Sequence, residues 1–466
     1  MEENKRGSFG GSLGFVLAAA GSAVGLGNIW RFPYLAARDG GGLFLVIYII
    51  LAVTFGFTLL TSEVSIGRMT KQSPLTAYGM IHKKFKWVGV LAYIVPFMIL
   101  PYYCVIGGWV IKYFMTFISG NGLKAAEDGF FTGFITSQYE PIVYTFIFLI
   151  ICAAIIILGV SKGIEKSSKI IMPILLVLVV AIAVYSLTVK GTSPDGKAIS
   201  GIDGLKVYLI PNLKGLTVKK FFTVLMDALG QLFYSLSIAM GIMITYGSYV
   251  SDDSNMVKSI NQIEIFDTLV AFLAGVMIIP AVFVFMGTDG MGAGPSLMFV
   301  SLPKVFKEMG PVGAVMGTLF FAMVLFAAIT SAMSVLEAVV ASMIDQFKVE
   351  RSQAVFGETV IALTIGIIVC LGYNKLYFEL KLPNGSIGQV LDILDYISNY
   401  VLMPIVALGT CILVGWVKKP QFIIDETTKN GEKFGRKKLY IVMVKYVAPV
   451  LLFVLFLMSV GLINLA

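Results

Sequence analysis

The stretch "GSAVGLGNIWRFPY", residues 21–34, decides how the rest of the chain is interpreted. It lies in an apolar segment long enough to cross a bilayer, yet it holds three glycines, an asparagine, an arginine and a proline. A helix broken in lipid exposes backbone polar groups at a high cost, so such a break persists only where it lines a cavity or binds something. Close helix packing would explain two of the glycines, but it does not explain Asn28, Arg31 and Pro33 together. We therefore expect a binding site at this break.

The composition places the whole chain in a membrane. Of its 466 residues, 58% are hydrophobic and 13% are charged, and the mean hydropathy is +0.89. About 20 consecutive apolar residues cross a bilayer as a helix, and runs of that length recur from end to end, which predicts an all-α polytopic membrane protein. We predict eleven spans, at residues 10–36, 42–68, 88–118, 141–158, 166–188, 220–247, 260–286, 310–345, 354–373, 387–416 and 440–464.

The basic residues predict the orientation, because Lys and Arg concentrate in cytoplasmic loops. They are dense in the loops on the N-terminal side, with seven in residues 418–438, and sparser in the longer loops opposite. This favours a cytoplasmic N-terminus and, with an odd number of spans, an external C-terminus. The net charge of +8 follows from this distribution, so we expect no nucleic-acid partner. We expect residues 189–219 to form a polar, ordered or semi-ordered outer loop, and residues 287–309 to form a re-entrant or surface hairpin over the outer mouth.

Two other classes of membrane protein are disfavoured. A membrane-embedded enzyme would need converging His, Cys or paired acids, but His82 is the only histidine and lies in a basic loop. The four cysteines, Cys104, Cys152, Cys370 and Cys411, fall inside apolar runs, where a disulfide or a zinc site is not expected. A channel would need a continuous polar path, whereas the charges lie at the two ends of an apolar middle. We expect neither enzymatic activity nor an obligate protein partner.

A second interrupted span, "GQLFYSLSIAMGIMITYGSY", occupies residues 230–249. Spans 1 and 6 are the first helices of two five-span halves, and interrupted segments in corresponding positions predict a secondary transporter built from inverted repeats, with its site at mid-membrane. The predicted organisation is one transporter domain, 1–466, with a first repeat at 10–188, a second repeat at 220–416 and an additional eleventh span at 440–464.

Six motifs resemble the neurotransmitter:sodium symporters, the family with the LeuT fold. They are "GSAVGLGNIWRFPY", "DGGGLFLVIY", "YYCVIGGW", "GQLFYSLSIAMG", "FAAITSAMS" and "LDILDY", and they follow the family's order along nearly the whole chain. The short termini and the eleven spans resemble its bacterial branch, the multi-hydrophobic amino-acid transporter type. The resemblance implies that spans 1 and 6 are unwound at mid-membrane. It also implies a cell-membrane symporter that imports hydrophobic or aromatic L-amino acids with sodium by alternating access. An amino-acid sensor on the same fold, without net flux, is the alternative.

The resemblance implies two co-transported sodium ions. Sodium is a hard cation, and carbonyls and hydroxyls supply the oxygen ligands that it needs. The first ion would be held, with the substrate carboxylate, by Ala23, Asn28, Ser235 and Asp267. The second ion would be held by Gly21, Val24, Ala327, Thr330 and Ser331. From the residues alone, the two hydroxyls in span 8 could equally bond back to carbonyls of their own helix.

Asp267 carries the expectation about chloride. It lies near the middle of an apolar stretch, and an acid inside a membrane span marks a functional site by default. Animal relatives that use chloride place Asn here and Ser one turn later, where this chain has Ala271. The other chloride positions match Tyr48, Gln231 and Ser235. A fixed carboxylate would supply the negative charge instead, so we expect no chloride requirement.

Gly25 determines the expected substrate class. Amine-transporting relatives carry Asp there to pair with the substrate ammonium, whereas Gly25 requires a substrate that brings its own carboxylate, an α-amino acid. The pocket contains no acid or base, which disfavours charged side chains. The residues that the resemblance assigns to the substrate are Ala23, Gly25, Leu26, Gly27, Ile99, Tyr103, Tyr234, Ser235, Ser237, Met240, Ser331 and Val335.

Two gates are also implied by the resemblance. The outer gate would pair Arg31 with Asp395, under an aromatic lid of Tyr103 and Tyr234. The inner gate would consist of Arg6, Phe9, Ser248, Tyr249 and Asp345. For Arg6, a role in topology alone is the alternative.

The start of span 5 is the last implied feature. Nine residues separate Gly163 from Pro173, a pattern that in the family lets the start of this helix unwind and open a water path for sodium. An ordinary helix entry with a proline kink is the alternative. In span 2, we expect Glu63 to hydrogen-bond freed backbone near the break in span 1; a buried polar group satisfied elsewhere is the alternative.

Overall fold

The computed structural model describes residues 7–192, 198–287, 290–291 and 294–463, and long apolar helices dominate it. In this part of the chain, nine unbroken helices are long and apolar enough to cross a membrane. They are Gly42–Thr70 (span 2), Lys83–Ala126 (span 3), Glu140–Ile157 (span 4), Val160–Thr188 (span 5), Met256–Met286 (span 7), Pro311–Phe347 (span 8), Arg351–Leu371 (span 9), Val390–Val417 (span 10) and Lys437–Ser459 (span 11).

Spans 1 and 6 are the two broken helices. Span 1 consists of Ser12–Ala23 and Gly27–Arg38, which meet at a bend of 54°. Span 6 consists of Val218–Ser235 and Ile242–Ser248, separated by a non-helical segment. Each of the eleven predicted spans therefore coincides with one helix or one pair, and the chain is a polytopic all-α membrane protein. We call the end of the bundle that carries residues 7–11 the inner end, following the predicted orientation, and the opposite end the outer end.

Short elements join the spans. The further helices are Pro74–Ile81, Phe130–Ile135, Gly201–Leu209, Leu302–Glu308 and Gln421–Thr427. Two antiparallel pairs of strands are present, β1 (Lys190–Thr192) with β2 (Ala198–Ser200), and β3 (Leu380–Lys381) with β4 (Ile387–Gly388).

The outer loop at residues 189–219 contains regular secondary structure. It contains β1, β2 and the helix Gly201–Leu209, which begins with a capping box between Ser200 and Asp203. Lys206 and Ser200 hydrogen-bond the Asp203 carboxylate and hold its pKa at about 2. In the predicted hairpin, residues 288–289 and 292–293 lie outside the described residues. A π-helical turn at Leu297–Ser301 there continues into Leu302–Glu308.

The break in span 1 follows from its sequence. Val24 leaves helical geometry at φ −75° and ψ 80°, and the N–H of Gly25 turns back to the carbonyl of Ala23 at 2.9 Å. The chain resumes as a π-helical turn, Gly27–Arg31, followed by an α-helix with Pro33 in its first turn. Pro33 has no backbone N–H to donate, so it removes one hydrogen bond where the π-helical turn passes into the α-helix.

The break in span 6 uses left-handed backbone. Ser237, Ala239 and Gly241 have φ values of 53°, 61° and 70°. Such a conformation costs on the order of 1 kcal/mol for a residue other than glycine, so the surrounding structure must hold Ser237 and Ala239 in place.

The inner half of span 6 is fixed by close packing on span 2. A Cβ on Gly67 would lie 2.0 Å from the carbonyl oxygen of Ile244, and a Cβ on Gly247 would lie 2.4 Å from that of Val64. Reciprocal glycines thus bring the two backbones together, as small residues do in membrane helix pairs. Meanwhile the inner half of span 1 packs against spans 5, 7 and 8.

Candidate functional site

A small cavity lies between the two breaks. Its volume is about 20 Å³, which is space for about one water molecule. None of its lining residues carries a charge. The cavity is lined by all the residues that the sequence assigned to the substrate (Ala23, Gly25, Leu26, Gly27, Ile99, Tyr103, Tyr234, Ser235, Ser237, Met240, Ser331 and Val335), together with Ser22 and Asn28.

Side chains of spans 6 and 8 satisfy the backbone that the first break frees. The hydroxyls of Ser237 and Ser331 donate to the carbonyl of Ser22 at 3.1 and 3.0 Å. The Gln231 amide donates to the carbonyl of Gly27 at 3.1 Å. The two serine hydroxyls of Ser22 and Ser237 also lie 3.1 Å apart. The breaks are therefore tied to each other. Sequence reasoning missed Ser22, although a serine inside the break was visible.

The residues assigned to the first sodium site form a buried polar cluster. The side-chain amide of Asn28 donates to Oδ1 of Asp267 at 2.8 Å. Ser235 Oγ lies 2.8 Å from the side-chain oxygen Oδ1 of Asn28 and 2.7 Å from Asp267 Oδ1. The Tyr48 hydroxyl donates to the other Asp267 oxygen at 3.4 Å. Gln231 Oε1 is buried there without a hydrogen-bond partner. Several oxygens thus converge on one point, as a cation site requires.

The residues assigned to the second sodium site lie where spans 1 and 8 meet. Ser331 Oγ lies 3.5 Å from the carbonyl oxygen of Gly21, and a Cβ on Gly21 would lie 3.2 Å from the Cβ of Thr330. Thr330 Oγ1 donates to the carbonyls of Phe326 and Ala327 at 3.0 and 3.1 Å. Thr330 therefore bonds back to its own helix, while Ser331 reaches across to span 1. Val24, the remaining member, is buried at the break itself.

Glu63 corrects one expectation. Its Oε1 accepts the N–H of Ala239 at 2.7 Å, so it stabilises the break in span 6 and not the break in span 1. The reason is the left-handed backbone at Ala239, which points its N–H away from the helix ladder. The other carboxyl oxygen of Glu63 is buried without a hydrogen-bond partner.

The predicted outer gate pair is not in direct contact. The Asp395 carboxylate accepts from the Tyr102 hydroxyl at 3.2 Å and from the Asn399 amide at 2.5 Å. The Arg31 guanidinium lies over the Tyr400 ring, 5.8 Å from its centroid. No Arg31–Asp395 salt bridge is present among the described residues. Above the lid residue Tyr234, a cavity of about 260 Å³ holds Arg31, Tyr400 and Asn399 in its wall.

The inner end is closed by packing around Phe9. Its ring contacts Phe15, Tyr246 and Tyr249, with ring centroids 5.7 to 6.1 Å apart, and its N–H donates to the carbonyl of Tyr249 at 3.1 Å. Ser248 Oγ donates to the carbonyl of Thr245 at 2.6 Å.

Asp345, a further member of the predicted inner gate, lies at the end of span 8. The Asp345 carboxylate accepts the N–H of Ser73 at 2.7 Å, next to the helix Pro74–Ile81. Arg6 lies outside the described residues.

An ion pair behind Tyr249 was missed by sequence reasoning. The Tyr249 hydroxyl donates to Oε1 of Glu337 at 2.5 Å, and Arg351 holds both oxygens of that carboxylate at 2.7 and 2.8 Å. The Glu337 side chain is fully buried, and the Arg351 side chain is 24% exposed. The signal was an acid in the apolar run "SVLEAVV" of span 8, which by itself indicates a functional or paired position.

The basic loop between spans 10 and 11 is also part of the inner closure. The fully buried Arg68 of span 2 pairs with Glu426 at 2.6 Å and donates to the carbonyl of Ser254 at 2.9 Å. Lys429 and Lys71 each lie 3.0 Å from a carboxylate oxygen of Asp252, and they lower the pKa of Asp252 below its ordinary value. These charges dock the loop on the chain that follows span 6.

Span 5 begins with a π-helical turn, Val160–Glu165, which contains Gly163. A Cβ on Gly163 would lie 2.1 Å from the carbonyl oxygen of Ile155, so only glycine allows this approach to span 4. Pro173 lies inside the α-helix that follows, Lys166–Thr188. π-Helical turns are rare and cluster at functional sites. In this structure the start of span 5 is wound.

Residues 6–123 and 138–465 match the sodium:neurotransmitter symporter family. The sodium-dependent transporter YhdH of Bacillus subtilis (strain 168), described as uncharacterized, is 31% identical over 472 residues, and the match covers 100% of both chains. The sodium- and chloride-dependent GABA transporter ine of Drosophila melanogaster is 26% identical over 501 residues, covering 96% of this chain and 50% of the relative.

Among solved structures, the crystal structure of MhsT in complex with L-phenylalanine superposes with a TM-score of 0.85. The two chains are 34% identical, and the match covers 97% of this chain and 100% of the MhsT chain. The fold described above is therefore the LeuT fold of that structure, and these relatives are transporters and not enzymes.

Proposed function

This chain belongs to the sodium:neurotransmitter symporter family, and from that premise we propose that it imports hydrophobic and aromatic L-amino acids together with sodium by alternating access. Sodium dependence and transport come with the family. The substrate class, two sodium ions and independence from chloride are the parts that this chain's own residues must support.

The observation that carries the proposal is the surroundings of Gly25. A Cβ at this position would lie 2.7 Å from Ser331 Oγ and 3.3 Å from the Tyr103 hydroxyl. Because no acid can be accommodated here to pair with an amine, the ligand must supply its own anionic group. A carboxylate beside Gly25 meets the Tyr103 hydroxyl and the N–H groups at the start of the outer half of span 1, where the helix dipole favours negative charge.

The rest of the cavity indicates the side chain of the ligand. Ile99, Met240 and Val335 supply apolar surface, and no charged side chain lines the cavity to pair with a charged ligand. Met240 is flexible and polarisable, so it can adapt to side chains of different shape. L-Phenylalanine in the related MhsT structure is a ligand of the same class.

Sodium is the co-transported substrate in this proposal. The cluster of Asn28, Ser235 and Asp267 supplies the side-chain oxygens of one site, completed by the carbonyl of Ala23 and the ligand carboxylate. Thr330, Ser331 and the carbonyls of Gly21, Val24 and Ala327 supply the other site. The first ion would contact the amino acid and join span 1 to span 6, and the second ion would join span 1 to span 8. Bound sodium would therefore stabilise the closed arrangement of the two breaks.

The position of Asp267 supports independence from chloride. Its carboxylate contacts Asn28 of the first sodium site, and it contacts Ser235 and Tyr48, two of the positions that match the chloride site of chloride-dependent relatives. A fixed negative charge balances the sodium ion there without a dissolved anion. The Drosophila relative, by contrast, is named as chloride-dependent.

The test is uptake of labelled L-phenylalanine, L-tryptophan, L-leucine and L-tyrosine by proteoliposomes, with and without an inward sodium gradient. We expect accumulation only with the gradient, competition by other hydrophobic amino acids and no competition by glutamate or lysine. Replacing chloride with gluconate at constant sodium should leave the uptake unchanged. In the Asp267→Asn variant, chloride should instead stimulate the remaining uptake.

Two outcomes would contradict the proposal. Sodium-dependent binding without accumulation would support a sensor on the transporter fold. Sodium-driven uptake of an amine that lacks a carboxylate, such as tyramine, would contradict the role assigned to Gly25. The predicted orientation, with a cytoplasmic N-terminus, is tested separately by protease cleavage of a tag at residue 1 in intact and in permeabilised cells, where only permeabilised cells should lose the tag.

A further inference from the structure

One buried acid at the inner end has no role in the site described so far. Glu165 is the last residue of the π-helical turn that opens span 5, and only 3% of its surface is exposed. Its Oε2 accepts the backbone N–H of Gly10 at 2.8 Å, 155 residues away, directly before span 1 begins at Ser12. Lys169, which is half-exposed, pairs with the other oxygen at 2.6 Å.

The start of span 1 is built to receive this carboxylate. The helix Ser12–Ala23 has no side-chain cap of its own, since its N-cap residue is Gly11. A Cβ on Gly14 would lie 2.4 Å from Glu165 Oε1 and 2.5 Å from its Cδ, so the absence of a side chain at Gly14 makes room for the acid. A carboxylate at a helix N-terminus satisfies free N–H groups and opposes the positive end of the helix dipole.

The position of Glu165 in span 5 makes its contact with span 1 depend on whether the start of span 5 is wound. It lies two residues after Gly163, inside the Gly163–Pro173 segment whose unwinding, implied by the family resemblance, would release sodium to the inside in the proposed transport cycle. If the backbone at residues 160–165 changes from a π-helical turn to coil, the Glu165 side chain cannot keep its place beside Gly10 and Gly14.

We infer that Glu165 couples the two events of inner opening, holding the start of span 1 closed while span 5 is wound and releasing it when span 5 unwinds. This inference rests on the proposed function only in the unwinding of span 5. Glu165 is a positioning residue here, because it touches neither substrate nor sodium. Its partner is the backbone of span 1, so its effect requires no change in the cavity.

The experiment measures how often the inner end opens. The described structure buries all four native cysteines, so a Ser248→Cys reporter at the inner end can be labelled with a maleimide on a low background. In the purified full-length protein, we expect Glu165→Ala to raise the labelling rate about three- to tenfold, as for loss of a charge at a helix N-terminus. Glu165→Gln, which keeps the acceptor oxygen, should have a smaller effect.

Two further variants separate coupling from general loosening. Lys169→Gln is the matched control, because it removes the exposed partner and keeps the Glu165–Gly10 bond, and it should leave the labelling within about twofold. Gly14→Ala displaces the carboxylate without altering its charge, so it should raise the labelling as Glu165→Ala does.

The decisive test is a double-mutant cycle with Pro173→Ala, which keeps span 5 wound. Pro173→Ala alone should slow the labelling. Added to Glu165→Ala it should have no further effect, because span 1 is already released. The inference would be overturned if the two substitutions changed the labelling rate by independent factors that multiply. It would also be overturned if Glu165→Ala labelled at the same rate as the Ser248→Cys parent protein. Labelling requires neither a substrate nor uptake, so this result stands apart from the uptake assay.

Discussion

The two ends of the bundle are closed in different ways. At the outer end, a cavity of about 260 Å³ reaches down to Tyr234, and Arg31 and Asp395 each bind other partners. At the inner end, Phe9 is packed among aromatic rings, and behind it lies the buried pair of Glu337 and Arg351. A thin aromatic lid therefore separates the site from the outside, while several layers of contacts separate it from the inside. The comparison indicates that the outer route needs the smaller rearrangement.

The largest expected effect tests the strength of the inner closure. Arg351→Ala would leave the fully buried Glu337 carboxylate with the Tyr249 hydroxyl as its remaining side-chain partner in the described part of the chain. Breaking a buried pair costs about 3 kcal/mol or more. We expect a large loss of thermal stability in detergent.

The control for this prediction is an exposed pair at the outer end. Lys304→Ala removes a contact with Asp128, whose side chain is 91% exposed, and should change the stability by less than about 1 kcal/mol. Equal destabilisation by both variants would contradict the proposed difference between the ends.

The second prediction adds one methyl group, by a Gly→Ala substitution, first in the closed site and then in the outer cavity. Gly25→Ala places a Cβ 2.7 Å from Ser331 Oγ, and overpacking of this kind costs about 1–3 kcal/mol. We expect amino-acid binding to weaken about tenfold or more, measured by scintillation proximity. Gly230→Ala, in the wall of the outer cavity, meets no atom closer than Arg31 Nη2 at 3.6 Å and should leave binding unchanged.

The third prediction concerns the outer gate. Because Asp395 makes no direct salt bridge with Arg31 among the described residues, Asp395→Asn removes only a charge–charge attraction across the cavity. We expect sodium and substrate affinities to change by less than about fivefold, which corresponds to about 1 kcal/mol. A loss of a hundredfold or more in equilibrium binding would show that the pair forms in the bound state.

The smallest effect is expected at the surface of the inner end. Lys429 and Lys71 hold the pKa of Asp252 below its unfolded value of about 3.9. The stabilisation is therefore complete above that pH and disappears as the pH falls through the folded pKa. Asp252→Asn should cost less than about 1 kcal/mol at pH 7 in low salt.

The pH and the salt concentration provide the controls for this variant. The stability difference between Asp252→Asn and the wild type should shrink as the pH falls through the lowered folded pKa of Asp252. It should also shrink in 0.5 M NaCl, because salt screens exposed charges. A difference that persists at low pH would contradict the electrostatic explanation.

The sequence predicted the fold and the two helix breaks well, because both depend on local signals. Glycines, polar residues and a proline in apolar runs marked the two breaks, and apolar run lengths marked the spans. The individual lining residues came from the resemblance, since Ile99 or Val335 could not otherwise be told from core. The roles in ion and substrate binding remain proposals.

What the sequence did not provide depends on contacts between distant parts of the chain. Glu63 stabilises the break in span 6 because Ala239 has left-handed backbone, which no sequence rule for alanine predicts. Arg68 and Glu426 are 358 residues apart, so their pairing follows only from the packing of the spans. The helix at Gly201–Leu209, in contrast, could have been found from the Ser200–Asp203 capping box.

The small volume of the cavity has a kinetic consequence. A space of about 20 Å³ cannot admit an amino acid, so every binding event must wait for Tyr234 and its neighbours to move aside. At low concentration, encounter sets the observed rate constant, and it rises with the amount of ligand. At high concentration, the opening of the lid at Tyr234 limits binding. The observed rate constant then reaches a plateau that is the same for every amino acid. Selectivity among substrates would then lie in how long each one stays and not in how fast it arrives.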